Sequence, residues 1–138
     1  MSGRVRHDLL IVTCAVSAGV HAALTPAHFR EGVVEGAGFA VATLLLAGLV
    51  VALTYRPASR AALVATALTF TGLLVSYLLA ATSGIPLLHP DLEPVDRLAL
   101  ATKAVESLGL VLAVELARRL RPATPEHLPI HQLKGARS

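Results

Sequence analysis

The sequence predicts an all-α, polytopic membrane protein with four transmembrane helices in an antiparallel bundle. Three observations carry that reading. Hydrophobic residues fill 54% of 138 positions and charged residues only 15%, whereas a water-soluble domain carries about 25% charged residues. Four apolar stretches run roughly from Leu9 to Leu24, Gly32 to Tyr55, Ala61 to Thr82 and Leu98 to Leu120, each near the ~20 residues that a helix needs to cross ~30 Å of hydrocarbon. The prolines, from Pro26, Pro57, Pro86, Pro90 and Pro94 to Pro122, Pro125 and Pro129, fall in the gaps or the tail, where a missing N–H costs little.

The first stretch is short and is expected to extend toward Phe29. Arg4 and Arg6 ahead of it, with Val20-His21-Ala22 behind, imitate a signal peptide; it reads instead as a retained helix. Thr25-Pro26 is a helix-start signal, with Thr25 as cap and Pro26 in the first helical position. The expected spans are therefore about 9–28, 28–55, 61–82 and 98–120, within one domain over 1–120. The short Arg56–Arg60 link makes the second and third helices a hairpin. The longer Ser83–Arg97 link, with three prolines, is expected to form a cap over the bundle. The polar, basic tail over 121–138 is expected to be disordered and cytoplasmic, within reach of anionic lipid.

Charge sets the orientation. With four crossings, Arg4, Arg6, Arg56, Arg60, Arg118, Arg119, Arg121, Lys134 and Arg137 share one side, against Arg30, Arg97 and Lys103 on the other. The positive-inside rule then places both termini in the cytoplasm, and the plasma membrane is the expected location. The sequence pI of about 9.6 follows from these membrane-edge cations, which form no stripe with interleaved aromatics, so no nucleic-acid partner is expected. Cys14 stands alone and reads as a small buried hydrophobe. Gly32 and Gly36 form a G-x-x-x-G pair, read as packing between neighbouring helices of one chain.

The polar residues are not spread evenly. His21, His28, Glu31, Glu35, His89, Asp91, Glu93, Asp96, Lys103 and Glu106 all fall in the outer half, and intramembrane charges default to paired or functional roles. His28, Glu31 and Glu35 follow i, i+3, i+7 on the expected second helix and so share a stripe beside Gly32 and Gly36. Lys103 and Glu106 lie one turn apart on the fourth helix, with Glu106 about 15 Å beyond Asp96.

Converging faces would make an outward pocket in which His21, His28, Glu35 and Glu106 are candidate metal ligands. Glu31, Asp96 and Lys103 would support them as hydrogen-bond or ion-pair partners. Two imidazoles with carboxylates suit a divalent transition metal such as Zn, Mn, Fe or Cu. Bundle di-metal sites repeat an E-x-x-H pair, and here a single reversed pair, His28 with Glu31, stands alone.

Other readings compete. Glu35 and Glu106 sharing Lys103 in a buried ion pair would fix helix order and nothing more, with His21 bonded to a carbonyl. Lys103 repels a metal and suits an anionic substrate instead. Glu115 reads as a local partner of Arg118 and Arg119, and Pro129 breaks the alignment of His127 with His131. Phosphate loops, C-x-x-C pairs and G-x-S-x-G elbows are missing, so no enzyme class is indicated.

The stretch His21-Ala22-Ala23-Leu24-Thr25-Pro26-Ala27-His28-Phe29, followed by Gly84-Ile85-Pro86, Asp96 and Glu106, resembles a motif of small uncharacterised four-helix membrane proteins common in actinobacteria. The resemblance runs from about His21 to Glu106 and implies a fold without a mechanism. His21, His28, Asp96 and Glu106 match the motif positions; Lys103 has no counterpart in it.

The sequence thus predicts a small integral membrane protein whose outward His/carboxylate site binds a transition metal or small charged ligand. An accessory or scaffolding subunit of a larger membrane complex, and a proton-coupled carrier or small membrane enzyme, are the alternatives. Expected partners are the lipid bilayer and either further copies of the chain or a larger complex.

Overall fold

A computed structural model describes residues 2–82 and 96–120. Among the described residues it contains four α-helices and no strand: α1 Gly3–Glu31, α2 Val33–Tyr55, α3 Arg60–Thr82 and α4 Arg97–Arg119. The first three are long and apolar enough to cross a membrane, with mean hydropathies of 1.7, 2.3 and 1.9 over their best windows. α4 is as long as α2 and α3 but carries Arg97, Lys103, Glu106, Glu115, Arg118 and Arg119. The tail over 121–138 and the expected cap over 83–95 lie outside the described residues, and so do Gly84-Ile85-Pro86, His89, Asp91, Glu93, His127 and His131.

α1 packs on α2 and α4, and α3 packs on the same two, closing a four-membered ring. Side-chain register fixes the directions. Arg6 reaches Glu115 at 3.0 Å while Ser17 reaches Glu106 at 2.9 Å, so α1 and α4 run antiparallel. Lys103 lies over the Tyr77 ring, and Gly109 abuts Phe70, which sets α3 antiparallel to α4. Both chain ends of the bundle therefore meet the α2–α3 turn at one end, hereafter the basic end. The α1–α2 corner and the start of α4 lie at the other.

The outer surface is apolar, unlike that of a water-soluble bundle. Large aliphatic side chains cover the outside, Leu44 at 73% and Leu68 at 68% exposure among them, a surface that in water would drive association. The interior toward the basic end is an apolar cluster of Leu10, Cys14, Leu46, Leu53, Leu63, Phe70, Leu112 and Ala113. Buried hydroxyls inside it bond back to their own helix, Thr13 to the Leu10 carbonyl at 2.8 Å and Thr66 to that of Ala62 at 2.8 Å. That local satisfaction is what an interior without water requires. Gly109 lets α4 close on its neighbours, because a Cβ there would collide with the Phe70 ring and stand 2.9 Å from Thr13 Oγ1.

One boundary differs from the sequence expectation. Thr25-Pro26 does not start the second helix; α1 continues through Pro26 to Glu31. Thr25 spends its hydroxyl on the His21 carbonyl at 2.7 Å rather than on a cap. The break falls instead at Gly32, whose extended backbone (φ −169°, ψ 146°) ends α1 and begins α2. Proline removes one helical hydrogen bond, but the glycine corner reverses the chain. His28 and Glu31 consequently belong to α1, and only Glu35 to α2. Of the G-x-x-x-G pair, Gly32 forms the corner and Gly36 receives the Phe29 side chain, so the pair serves packing within the chain.

Candidate functional site

The buried face of α1 reads Leu10, Thr13, Cys14, Ser17 and His21, the three- and four-residue spacing of a single helical face. Its upper part meets the buried face of α4, where Thr102, Glu106 and Gly109 lie. Polar side chains from the two helices join there. Ser17 Oγ donates to Glu106 Oε1 at 2.9 Å, and Lys103 Nζ donates to Glu106 Oε2 at 2.7 Å. Glu106 has no exposed surface, so both carboxylate oxygens are satisfied where an unpaired charge would be costly.

His21 is fixed by its own helix. Its Nδ1 lies 2.9 Å from the Ser17 carbonyl oxygen, which accepts the ring N–H and leaves Nε2 as the free ring nitrogen. Nε2 lies 4.0 Å from Glu106 Oε1, beyond a direct hydrogen bond. The ring also leans on Phe39 of α2, centroid to centroid 5.3 Å. His28, two turns along α1, stacks on the same Phe39 ring at 3.8 Å and pairs with Glu31 at 2.8 Å.

A cavity of about 400 Å³ opens between all four helices at the end away from the termini. Its walls include His21 and His28 from α1, Glu35 and Phe39 from α2, Tyr77 from α3, and Asp96 and Lys103 from α4. Most of the remaining lining is aliphatic, and the volume matches the ~300–1,000 Å³ of small-molecule sites. Lys103 Nζ sits 5.2 Å from the Tyr77 ring centroid, a cation–π distance. The Tyr77 hydroxyl oxygen is buried without a hydrogen-bond partner among the described residues, an unusual state for a buried polar atom.

The predicted residues divide into groups. His21, Lys103 and Glu106 come together. His28 and Glu35 line the same cavity, but His28 is engaged by Glu31 and Phe39, and Glu35 folds against the Gly32 corner. Asp96 lines the cavity while capping α4, accepting from the Ala99 N–H at 2.6 Å. Glu31 is largely exposed. Among the described residues, His, Cys, Asp and Glu form no group of three or more that would hold a metal.

Sequence reasoning missed Ser17, Phe39 and Tyr77. Ser17 was within reach: it precedes His21 by one helical turn. Tyr77 carried a weaker signal, as a lone polar-tipped ring in an apolar span. Comparison with known protein families, curated proteins and solved structures finds no match to this chain.

Proposed function

We propose that the chain crosses the plasma membrane four times with both termini in the cytoplasm, and that its non-cytoplasmic half binds a small organic molecule. The ligand's apolar body fills the cavity between the helices, and a carboxylate-like acceptor head meets Lys103 and Tyr77.

Several features support four crossings. The charges of α4 that fall at membrane depth, Lys103 and Glu106, pair with each other on its inward side. Its outward residues Leu100 and Val111 are more than half exposed and aliphatic. Arg4, Arg6, Arg56, Arg60, Arg118 and Arg119 gather at one end, which the positive-inside rule assigns to the cytoplasm. The resemblance of the His21–Phe29 segment to small four-helix membrane proteins belongs to the same proposal and adds no activity.

The observation that carries the ligand reading is Tyr77, which lines a mostly apolar cavity with the Lys103 ammonium over its ring and a buried hydroxyl that has no hydrogen-bond partner among the described residues. A few convergent polar groups in an apolar pocket are the usual form of a small-molecule site. Of the two occupants expected from the sequence, the geometry favours the small ligand over the metal. Both oxygens of Glu106 are engaged by Ser17 and Lys103, and Lys103 sets a positive charge beside them.

The test is thermal unfolding of the full chain in nonionic detergent with short-chain alkanoates and with alkylammonium ions of equal chain length. Alkanoates are expected to raise the melting temperature, and Lys103→Met and Tyr77→Phe to lower that response. An equal or larger response to the ammonium series would overturn the acceptor-head reading. Stoichiometric metal in the same purified sample, with loss of His21 abolishing it, would favour the metal instead.

A further inference from the structure

The basic end of the bundle holds a second concavity, separate from the ligand cavity. It has a volume of about 650 Å³ and lies between the start of α1, the α2–α3 turn and the last turn of α4. Its walls combine Arg4, His7 and Arg119 with the aliphatic side chains of Ile11, Leu63 and Leu116. Two arginines above an aliphatic floor match the two parts of a phospholipid, a phosphate headgroup and the upper acyl chain.

The charge balance points the same way. Glu115, the nearest acid on α4, is held by both Arg6 at 3.0 Å and Arg119 at 2.7 Å. One carboxylate thus serves two guanidinium groups, and Arg119 keeps further donors for an acceptor. Arg4 has no carboxylate bonded to it among the described residues. His7 also lines the concavity, and its Nε2 is buried without a hydrogen-bond partner among the described residues. Asp8 also lines the concavity, which leaves a net positive wall of Arg4 and Arg119 against one acid. A planar guanidinium recognises phosphate oxygens in a two-bond fork, and the inner leaflet is where anionic headgroups lie.

We infer that this concavity is a binding site for one anionic phospholipid of the cytoplasmic leaflet, with Arg4 and Arg119 on its phosphate headgroup. The inference rests on membrane insertion with the basic end inward and not on the ligand cavity, which lies at the opposite end.

The full chain, purified in nonionic detergent, is melted with short-chain phosphatidylglycerol, with short-chain phosphatidylcholine and with inorganic phosphate. Phosphatidylglycerol is expected to raise the melting temperature by about 4 °C near saturation, and the other two by far less. Arg4→Gln, at an exposed side chain, is expected to remove most of the shift, and Arg4→Gln with Arg119→Gln all of it. Arg97→Gln makes the same charge change at the opposite end and is expected to keep it. An equal shift with phosphatidylcholine, an equal shift with free phosphate, or a full shift in Arg4→Gln would each overturn the inference.

Discussion

Ser17 and Glu106, 89 residues apart, share a hydrogen bond of 2.9 Å with neither side chain exposed. Lys103 pairs with Glu106 from the same helix, so that ion pair alone does not join two elements. Ser17 is what carries the cluster from α4 to α1. Removing its hydroxyl in Ser17→Ala should cost about 1–2 kcal/mol, because a buried carboxylate oxygen loses a donor. Glu106→Gln should cost about 2–4 kcal/mol, since it also leaves the Lys103 ammonium without its counter-charge. Thermal unfolding of both single variants and the double variant measures the coupling, expected at about 0.5–1.5 kcal/mol. Strict additivity would show that the bond contributes nothing.

The close approach at Gly109 gives a second prediction. Gly109→Ala places a methyl group in the Phe70 ring and against Thr13, so it should destabilise the bundle by about 1–3 kcal/mol through overpacking. Gly48 and Gly72 also lie within helices, yet an added Cβ meets nothing within 4 Å at either. Alanine there should be neutral or stabilise by up to about 1 kcal/mol, as helix propensity alone dictates. The same unfolding assay checks all three. Equal behaviour at Gly109 and Gly72 would mean that α3 and α4 do not meet at Phe70.

Cysteine accessibility tests the crossings. In a Cys14→Ala background, Thr82→Cys should react from outside intact cells with a membrane-impermeant maleimide, because the proposed topology puts the end of α3 at the non-cytoplasmic face. Ser59→Cys, in the α2–α3 turn, should react only after the membrane is opened. Leu120→Cys decides the fate of α4. Protection from outside supports the fourth crossing, whereas labelling from outside would place the α4 terminus on the same side as Thr82.

The helices were legible because a long apolar run has one economical solution in lipid. The same economy misplaced the first corner. Thr25-Pro26 is a helix start in water, but inside an apolar run the chain keeps helical geometry through a proline, and Gly32 reverses it instead. The consequence reached the site. His28, Glu31 and Glu35 were expected on one stripe, yet the corner places the first two on α1 and the third on α2. His21, Lys103 and Glu106 were found because a charged or ionisable residue inside an apolar run is conspicuous. Ser17, Phe39 and Tyr77 were not, since a hydroxyl or ring in a membrane helix is ordinary until the packing shows what it faces.

Tyr77 supplies the sharpest prediction, because its two effects have opposite sign. The hydroxyl oxygen is buried without a partner among the described residues, so the ligand-free bundle gains nothing from it and loses its hydration. Tyr77→Phe removes the polar atom and keeps the ring under Lys103; it should leave the empty protein unchanged or more stable by about 1 kcal/mol. Where the hydroxyl meets the acceptor head of a bound alkanoate, the same change should weaken affinity about tenfold, the worth of one hydrogen bond in an apolar pocket. Melting curves without ligand and titration calorimetry with it read the two effects separately. A destabilised empty protein would mean that the hydroxyl has a structural partner, and unchanged affinity would remove Tyr77 from the site.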